Sequence, residues 1–328
     1  MSAEHKRTLK GNLKIITSRT EFSVFVGLLA LAVAMSFASP YFLKTDNLFN
    51  ILNQISRYGV ISVGMALVII SGGIDLSVGY NVGLSACLCA FFSANWGLPW
   101  YLVFILTMGV GILIGLLNGL LITKVNLVPF IVTLATGKIL SGCTLLLTRG
   151  LPISFSESPL SWLGSGYVGP VPVAVIVMFL SIVLGSIFAG HTLTGRNIYA
   201  IGNNERTAKL SGINVNRLKC LTYIITGGLC SLCGIIVAGN LSSADASLGI
   251  GYEIDIIAAV VIGGVAMSGG EGTIWGSLIG AAIIGIIRNA FILLGISAYW
   301  QAIVIGIVIV LSVTIDRLRV TSKKRASI

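Results

Sequence analysis

The sequence predicts an all-α, polytopic integral membrane protein with about ten transmembrane helices. Of its 328 residues, 55% are hydrophobic and only 10% are charged, and the mean hydropathy is +0.99. A soluble domain carries about 25% charged residues, so a bilayer is the expected solvent for most of the chain. The formal net charge of +10 does not indicate nucleic-acid binding, because the basic residues collect at the termini and in one middle segment.

Apolar runs predict the individual helices, since about 20 apolar residues in a helix cross a bilayer. The connections between the runs leave no room for a soluble domain. Residues 1–328 are therefore predicted to form one transmembrane domain with tails at 1–21 and 316–328. The predicted spans are 22–40, 48–71, 76–94, 100–123, 127–147, 170–190, 219–238, 254–268, 273–293 and 299–315.

The distribution of Lys and Arg predicts that both termini are cytoplasmic. When the N-terminus is placed inside and the spans alternate, the outer side holds only Lys44 and Arg149. Cytoplasmic loops of membrane proteins collect basic residues, so this orientation and an even number of spans are expected. The cytoplasmic side then holds Lys6, Arg7, Lys10, Lys14, Arg19, Lys124, Arg196, Arg206, Lys209, Arg217, Lys219, Arg317, Arg319, Lys323, Lys324 and Arg325.

Glycines four residues apart occur in two predicted spans. Gly111, Gly115 and Gly119 lie in one span, and Gly276 and Gly280 lie in another. Small residues at this spacing let helix backbones approach closely in lipid. The pattern predicts tight helix packing, with a moving seam as the alternative.

The six cysteines lie in or beside apolar runs. A metal site would need further ligands, and His5 and His191 are the only histidines. Free cysteine packs as a small hydrophobe, so buried thiols are predicted, without a metal or cofactor. The cysteines are Cys87, Cys89, Cys143, Cys220, Cys230 and Cys233.

A carboxylate follows two glycines in the stretch "ISGGIDLSVG" (70–79). The glycines can end one helix, and Asp75 can cap the next by accepting from backbone N–H groups that lipid leaves unpaired. A part in gating or in a partner contact is the alternative. The Ser-Gly-Gly pattern returns at 268–270, again followed by glycines six and ten residues later. The residues predicted for the turn and its counterpart are Gly72, Gly73, Asp75, Ser77, Gly79, Gly269 and Gly270.

One long polar segment, "TGRNIYAIGNNERTAKLSGINVNRLK" (194–219), lies on the predicted cytoplasmic side. Asn203 or Asn204 can cap a helix of about two turns, and Gly212 can supply its left-handed stop. Helices this short are marginal in water, so this one needs a surface to hold it. Composition leaves open an ordinary loop or a docking helix for a cytoplasmic protein. The candidate docking residues are Gly195, Arg196, Asn204, Glu205, Arg206, Lys209 and Gly212.

The chemistry of a catalytic site is missing from the sequence. The nucleotide-binding pattern G-x-x-x-x-G-K-[ST] does not occur, and neither do G-x-S-x-G and H-E-x-x-H, so no enzyme is predicted. The ionisable residues in or near the spans are Arg57, Asp75, Lys138 and Arg288. Such residues are functional candidates, although Arg57 and Arg288 lie close enough to the predicted outer ends to reach the headgroups.

Five stretches occur in the order of one known family. They are "NLFNILNQ" (47–54), "GMALVIISGGIDLSVG" (64–79), "TGRNIYAIGNNERTAKLSGINV" (194–215), "GYEIDIIAAVVIGGVAMSGGEGTIWGSLIGA" (251–281) and "LLGISAYWQ" (293–301). Together they resemble the ribose-type sugar permeases of ATP-binding-cassette (ABC) importers. The resemblance covers about Pro40 to Asp316 and departs from the family at Arg206-Thr207, where small residues are usual.

The resemblance implies an architecture of the vitamin B12-type class of ABC importer permeases, in the bacterial cytoplasmic (inner) membrane. It implies a homodimer surrounded by lipid, a separate cytoplasmic ATPase subunit and an extracytoplasmic sugar-binding protein. The implied function is the passage of ribose or a related monosaccharide through a pore at the dimer interface. The segment 194–219 then becomes the ATPase contact, and "GGIDLSVG" a family signature at the cytoplasmic end of two core helices.

The alternative from a different class is an ion-coupled secondary sugar carrier that acts without an ATPase. Such a carrier would not need the segment 194–219 for docking, and it would want a buried carboxylate relay. For a sugar pathway the candidates are Asn53, Gln54 and Arg57, near the outer end of the second predicted span, because amide and guanidinium groups hydrogen-bond hydroxyls. A polar helix end packed against another subunit is the alternative for these three.

Overall fold

A computed structural model describes residues 20–314 except 157, 298, 302, 308–309 and 312–313, so the predicted tails lie almost entirely outside the described residues. The α-helices are α1 (Thr20–Ala38), α2 (Thr45–Ile70), α3 (Val78–Ala94), α4 (Trp100–Thr123), α5 (Pro129–Thr148), α6 (Pro159–Ser165), α7 (Val173–His191), α8 (Leu193–Asn203), α9 (Glu205–Leu210), α10 (Val215–Leu241), α11 (Tyr252–Ile262) and α12 (Ile274–Leu293). Residues 299–301, 303–307, 310–311 and 314 are also helical, within the last predicted span.

The described helices confirm the predicted all-α, polytopic membrane fold. Six of them, α2, α4, α5, α7, α10 and α12, are long and apolar enough to cross a membrane, and α1 and α3 are shorter apolar helices. Helices α2 and α10 are buried along most of their length, whereas α4 and α5 expose most of their surface. The protein core is therefore built around α2 and α10.

Two short antiparallel strand pairs lie at one end of the bundle. The strands are β1 (Ile153–Ser154), β2 (Tyr167–Val168), β3 (Val171–Pro172) and β4 (Ser243–Ala244). β1 pairs with β4, and β2 pairs with β3. Helix α6 packs on the end of α10 nearby, where a Cβ at Gly164 would lie 2.1 Å from the Asn240 nitrogen. We call this the strand end of the molecule.

The predicted span 254–268 is a discontinuous crossing instead of one long helix. The helix α11 has 11 residues, which is about 16 Å and half of a bilayer core. The non-helical segment 242–251 leads to it and descends along α3. The Asp245 carbonyl accepts from Cys87 Sγ at 3.3 Å. Carbonyl oxygens of the same segment then reach Gly83 and Gly79.

Glycines on α3 make this descent possible. A Cβ at Gly83 would lie 2.3 Å from the Leu248 carbonyl oxygen, and one at Gly79 would lie 2.3 Å from the Gly249 oxygen. Backbone without helical hydrogen bonds is stable at membrane depth only when protein covers it. The glycines of α3 allow that cover. The length of an apolar run does not reveal such packing, so it predicted one long helix at 254–268 that the structure does not contain.

The glycine seam predicted for tight helix packing is confirmed between α4 and α10. A Cβ at Gly111 would lie 2.6 Å from the Gly227 carbonyl oxygen, and one at Gly115 would lie 2.2 Å from that of Tyr223. The second glycine pair also packs as predicted, because Gly276 and Gly280 of α12 face backbone carbonyls at the end of α11. Direct backbone contact of this kind fixes the two helix pairs.

The prediction of buried thiols is confirmed for five of the cysteines. Cys143 is the exception, because it lies on the exposed face of α5. The sequence could not distinguish it, since α5 is as apolar on its exposed face as on its packed face. Among the described residues, no three His, Cys, Asp or Glu side chains lie close enough to hold a metal ion.

Candidate functional site

The two Ser-Gly-Gly turns, which the sequence related only by spacing, meet in space. The Gly270 nitrogen donates to the Ile70 carbonyl at 2.9 Å, and a Cβ at Gly269 would lie 3.2 Å from the Gly72 Cα. Gly72, Gly269 and Gly270 all have positive φ, at 81°, 84° and 79°. Only glycine adopts these angles without strain. The two turns can therefore make this contact because glycine occupies all three positions.

The helix α8 lies directly on this contact. The Tyr199 hydroxyl donates to the Gly272 carbonyl at 2.8 Å, and Asn203 Nδ2 donates to the Gly270 carbonyl at 3.4 Å. A Cβ at Gly202 would lie 1.8 Å from the Ile70 carbonyl oxygen. We call the contact of 70–73, 202–203 and 269–272 the turn junction.

Asp75 opens the turn that leads from the junction to α3. Its side chain is 2% exposed, and Oδ1 accepts from the Ser77 nitrogen at 2.9 Å and from Ser77 Oγ at 2.6 Å. The helix itself begins at Val78. Ser77 is the N-cap residue, and no side chain caps α3. The predicted cap is therefore absent, and Asp75 instead closes the turn that precedes the helix.

A series of hydrogen bonds joins the turn at Asp75 and Ser77 to two further helices. Asn118 Nδ2 donates to Ser77 Oγ at 2.9 Å, and Thr136 Oγ1 donates to Asn118 Oδ1 at 2.7 Å. These bonds link α3, α4 and α5. Asn118 and Thr136 were not predicted as site residues, although an amide within an apolar span is a signal that could have identified Asn118.

Substitutions of Asp75 distinguish a structural role of this residue from a role in gating. In Asp75→Asn an oxygen can still accept from Ser77, so we expect near-normal stability. In Asp75→Leu both hydrogen bonds are lost, and the free energy of unfolding should fall by about 2 kcal/mol, at about 1 kcal/mol per bond. The measurement is unfolding of the detergent-solubilised protein. Two stable variants that have both lost transport would instead assign Asp75 to gating.

The polar segment forms two helices, α8 and α9, where the sequence predicted one. Thr192 Oγ1 caps α8 by accepting from the Gly195 nitrogen at 2.9 Å. Asn204 Oδ1 caps α9 by accepting from the Thr207 nitrogen at 3.0 Å, as predicted. The predicted stop, Gly212, has a φ of 82°. Helix α8 was missed because its cap precedes the segment that the sequence analysis considered.

The candidate docking residues divide into exposed and structural ones. A Cβ at Gly195 would lie 2.1 Å from the Phe188 carbonyl oxygen, so Gly195 packs α8 on the end of α7. Glu205 is paired within the chain, with Lys219 Nζ at 2.6 Å. Leu210, which the sequence analysis missed, is 82% exposed. The exposed candidates are Arg196, Asn204, Glu205, Arg206, Lys209 and Gly212.

The proposed pathway residues lie far from the turn junction. Arg57 is the thirteenth of the 26 residues of α2, about 20 Å along the helix from Ile70. Its Nη2 donates to Asn240 Oδ1 at 2.8 Å. The expectation that Arg57 reaches the headgroups is therefore wrong, because α2 begins earlier than predicted and a partner holds the guanidinium at mid-helix. Gln54 is half-buried.

Arg288 also has an internal partner instead of reaching the headgroups. Its Nη2 donates to Asp255 Oδ2, and Asp255 is 4% exposed. The guanidinium lies 5.6 Å from the ring centroid of Tyr58. With its amide oxygen facing Arg288, Gln301 accepts from Nε at 3.1 Å and from Nη1 at 2.8 Å. The sequence did not predict this ion pair of a buried carboxylate and a half-buried guanidinium, because the path of the chain before α11 sets the depth of Asp255.

Comparison with known proteins identifies the family. Residues 47–313 match the family model described as "Branched-chain amino acid transport system / permease component". The chain is 41% identical over 319 residues to the ribose import permease protein RbsC of Bacillus subtilis (strain 168), covering 97% of this chain and 99% of the relative. It is 41% identical over 295 residues to RbsC of Escherichia coli (strain K12), covering 89% and 92%.

A third relative is the galactose/methyl galactoside import permease protein MglC of Escherichia coli (strain K12). It is 36% identical over 342 residues, which cover 99% of this chain and 100% of the relative. No solved structure matches the chain. The family model covers most of the chain, and the described fold is that of a multi-pass membrane protein. The chain therefore belongs to this family of transport-system permease components, as the resemblance of its motifs predicted.

Proposed function

We propose that the chain is the permease subunit of an ATP-driven importer of ribose or a related monosaccharide. The relatives that match along nearly their full length are import permeases for ribose and for galactose or methyl galactoside, which supports a monosaccharide. A separate ATPase subunit docks on α8 and α9, and two copies of the chain form the pathway. The N- and C-termini are cytoplasmic, in the bacterial inner membrane, and a sugar-binding protein docks at the strand end.

The turn junction is the observation that carries the coupling to an ATPase. Helix α8 packs directly on the turn that leads, through Asp75, to α3, because a Cβ at Gly202 would lie 1.8 Å from the Ile70 carbonyl oxygen. It is also bonded to the 269–272 turn that joins α11 to α12. A movement of α8 and α9 would therefore also move two helix pairs, α2 with α3 and α11 with α12. Packed helices move between discrete arrangements, and alternating access follows when ATP binding favours one of them.

The surface of α8 and α9 has the chemistry of a docking site. Leu193 and Leu210 are large apolar side chains that are 67% and 82% exposed. Arg196, Arg206 and Lys209 are exposed cations on the same two helices. Apolar anchors within a charged rim are typical of protein interfaces. We assign this surface to the ATPase.

The pathway candidates differ in their freedom to meet a sugar. Arg57 is committed to Asn240, whose Nδ2 donates to the Gly164 carbonyl at 3.1 Å. Asn53 Oδ1 is buried and has no hydrogen-bond partner among the described residues. Asn53 therefore has accepting capacity that a hydroxyl can use once a movement of the helices exposes this oxygen.

A secondary carrier is the weaker hypothesis. Its buried carboxylate would be Asp255, but Arg288 neutralises that group within the subunit. A carboxylate that is already paired with a guanidinium has little charge left to attract a sodium ion. The junction and the exposed face of α9 also have no role in a carrier that acts alone.

Reconstitution in liposomes tests the proposal. The chain alone should give no uphill sugar uptake, and addition of the ATPase and the loaded binding protein should give ATP-dependent uptake. Uphill uptake by the chain alone, driven by an ion gradient, would establish the carrier instead.

Leu210→Asp tests the docking surface separately. Because Leu210 is exposed, the fold should tolerate the change, while the ATPase should no longer co-purify. The matched control is Leu151→Asp at the strand end, where the leucine is 69% exposed. Lys209→Glu should weaken the same contact in a salt-sensitive way, because exposed charges are screened. An ATPase that binds all three variants like the wild type would show that the docking surface lies elsewhere.

A further inference from the structure

A lysine lies at mid-depth on the outer surface of the subunit. Lys138 is the tenth of the 20 residues of α5, about 15 Å from the end of the helix, and its side chain is exposed. A lysine at the centre of a span costs about 2.5–3.5 kcal/mol or more in lipid. The face of α5 that carries Lys138 is therefore unsuited to contact with acyl chains.

A tyrosine of α3 lies beneath this lysine. Lys138 Nζ is 5.7 Å from the ring centroid of Tyr80, and Tyr80 is half-buried. The neighbouring Gly137 makes room for the ring, since a Cβ there would lie 2.7 Å from Tyr80 Cδ2. The ring is held against the backbone of α5, with the ammonium group of Lys138 over it.

A carboxylate lies against the residue of α3 that precedes Tyr80. Glu253 lies in the first turn of α11, and a Cβ at Gly79 would lie 2.4 Å from its Oε2. That oxygen is buried and has no hydrogen-bond partner among the described residues. A buried acceptor without a partner is costly in a folded protein. Because Glu253 as a whole is half-buried, a change of its rotamer can bring this oxygen to the subunit surface, where a donor from outside can reach it.

We propose that Tyr80, Lys138 and Glu253 form a sugar-contacting station at mid-depth in the translocation pathway. The ammonium donates to a sugar hydroxyl, and the carboxylate accepts from one. The half-buried ring of Tyr80 supplies an apolar surface for the sugar's C–H groups. A few converging polar groups beside an aromatic ring are typical of small-molecule sites. The station rests on the proposed function, and it places the pathway on the face formed by α3, α5 and the start of α11.

Neutral monosaccharides fit this group better than charged ligands do. Opposite charges on Lys138 and Glu253 leave the pair neutral, so neither a sugar phosphate nor an amine gains from both groups. Hydroxyl groups both donate and accept, and they can satisfy an ammonium and a carboxylate at once. The discontinuous crossing makes the station possible, because it places the first turn of α11 at this depth.

Thiol labelling tests where the station faces. In a Cys143→Ala background, Lys138→Cys and Glu253→Cys are treated with a membrane-impermeant methanethiosulfonate in the complete transporter. Both thiols should react, and saturating sugar with its binding protein should slow the reaction about tenfold. The control is Ile139→Cys, which is 63% exposed and lies about 100° around α5; it should not react. If Lys138→Cys and Glu253→Cys are as inert as the control, the face meets lipid or a second subunit and the proposal is wrong.

Conservative variants test the contact with sugar. Lys138→Gln and Glu253→Gln should each lower ATP-dependent uptake about tenfold or more, because each removes a charge-assisted hydrogen bond. Folding and ATPase co-purification should be unchanged. Normal uptake by both variants would overturn the station. Failure of the wild-type complex to import any sugar would instead overturn the proposed function.

Discussion

One methyl group at position 202 should separate α8 from the turns that join the membrane helices. In Gly202→Ala the new Cβ would lie 1.8 Å from the Ile70 carbonyl oxygen and 2.4 Å from the Gly270 nitrogen. Both atoms belong to one backbone hydrogen bond, so neither can move away alone. Overpacking typically costs about 1–3 kcal/mol. We expect the junction to open and ATP-dependent uptake to fall at least about tenfold.

Gly190→Ala is the matched control for this prediction. Gly190 lies near the end of α7, next to α8, and a Cβ there meets no atom within 4 Å. Alanine in an exposed helical position is slightly stabilising. The measurements are sugar uptake, ATPase co-purification and sugar-stimulated hydrolysis. If Gly202→Ala matches Gly190→Ala in all three, the junction does not transmit the ATPase movement.

The second large effect is expected at the buried ion pair. Arg288→Met leaves the Asp255 carboxylate, which is 4% exposed, without its cation. Removing one partner of a fully buried pair costs about 3–5 kcal/mol, and the lower end of that range applies here because Arg288 is 30% exposed. The expected result is a loss of that size in the free energy of unfolding, measured in mixed micelles with increasing SDS.

A double substitution separates the pair from other losses. Asp255→Asn combined with Arg288→Met removes both charges and should regain most of the lost stability. Arg57→Met is the comparison, because its partner Asn240 is neutral and its loss should cost less. If the double variant is no more stable than Arg288→Met alone, the packing of Arg288 on Tyr58, and not the ion pair, is what stabilises this region.

Sequence patterns predicted the fold correctly in the regions where each apolar run forms a single helix. The glycines of α4 are an example, because spacing alone identifies the face that packs on α10. The pattern failed at 254–268, where hydropathy cannot distinguish a long helix from a short helix preceded by covered, non-helical chain. Asp255 was missed for the same reason, since its depth depends on a crossing whose path only tertiary packing defines.

The candidate site was predicted in part. Asn204 forms a helix cap, and Gly212 forms a left-handed turn. Both features depend only on neighbouring residues, so the sequence alone can predict them. The turn junction is a contact between residues about 200 positions apart. The spacing of the glycines indicated that the two turns resemble each other, but it did not predict that they touch. For Arg57 the identity of the partner, Asn240, decides between a headgroup contact and an internal bond. No local pattern contains that information.

The discontinuous crossing also constrains how the protein is made. A helix of 11 residues, preceded by chain without regular hydrogen bonds, cannot partition into lipid as an independent unit. Its cover, Gly79 and Gly83 on α3, is synthesised about 170 residues before this segment. Insertion of the crossing is therefore a tertiary folding event that follows translocon release of its neighbours. A nascent chain arrested before that event would present Asp255 and bare backbone amides to membrane quality control.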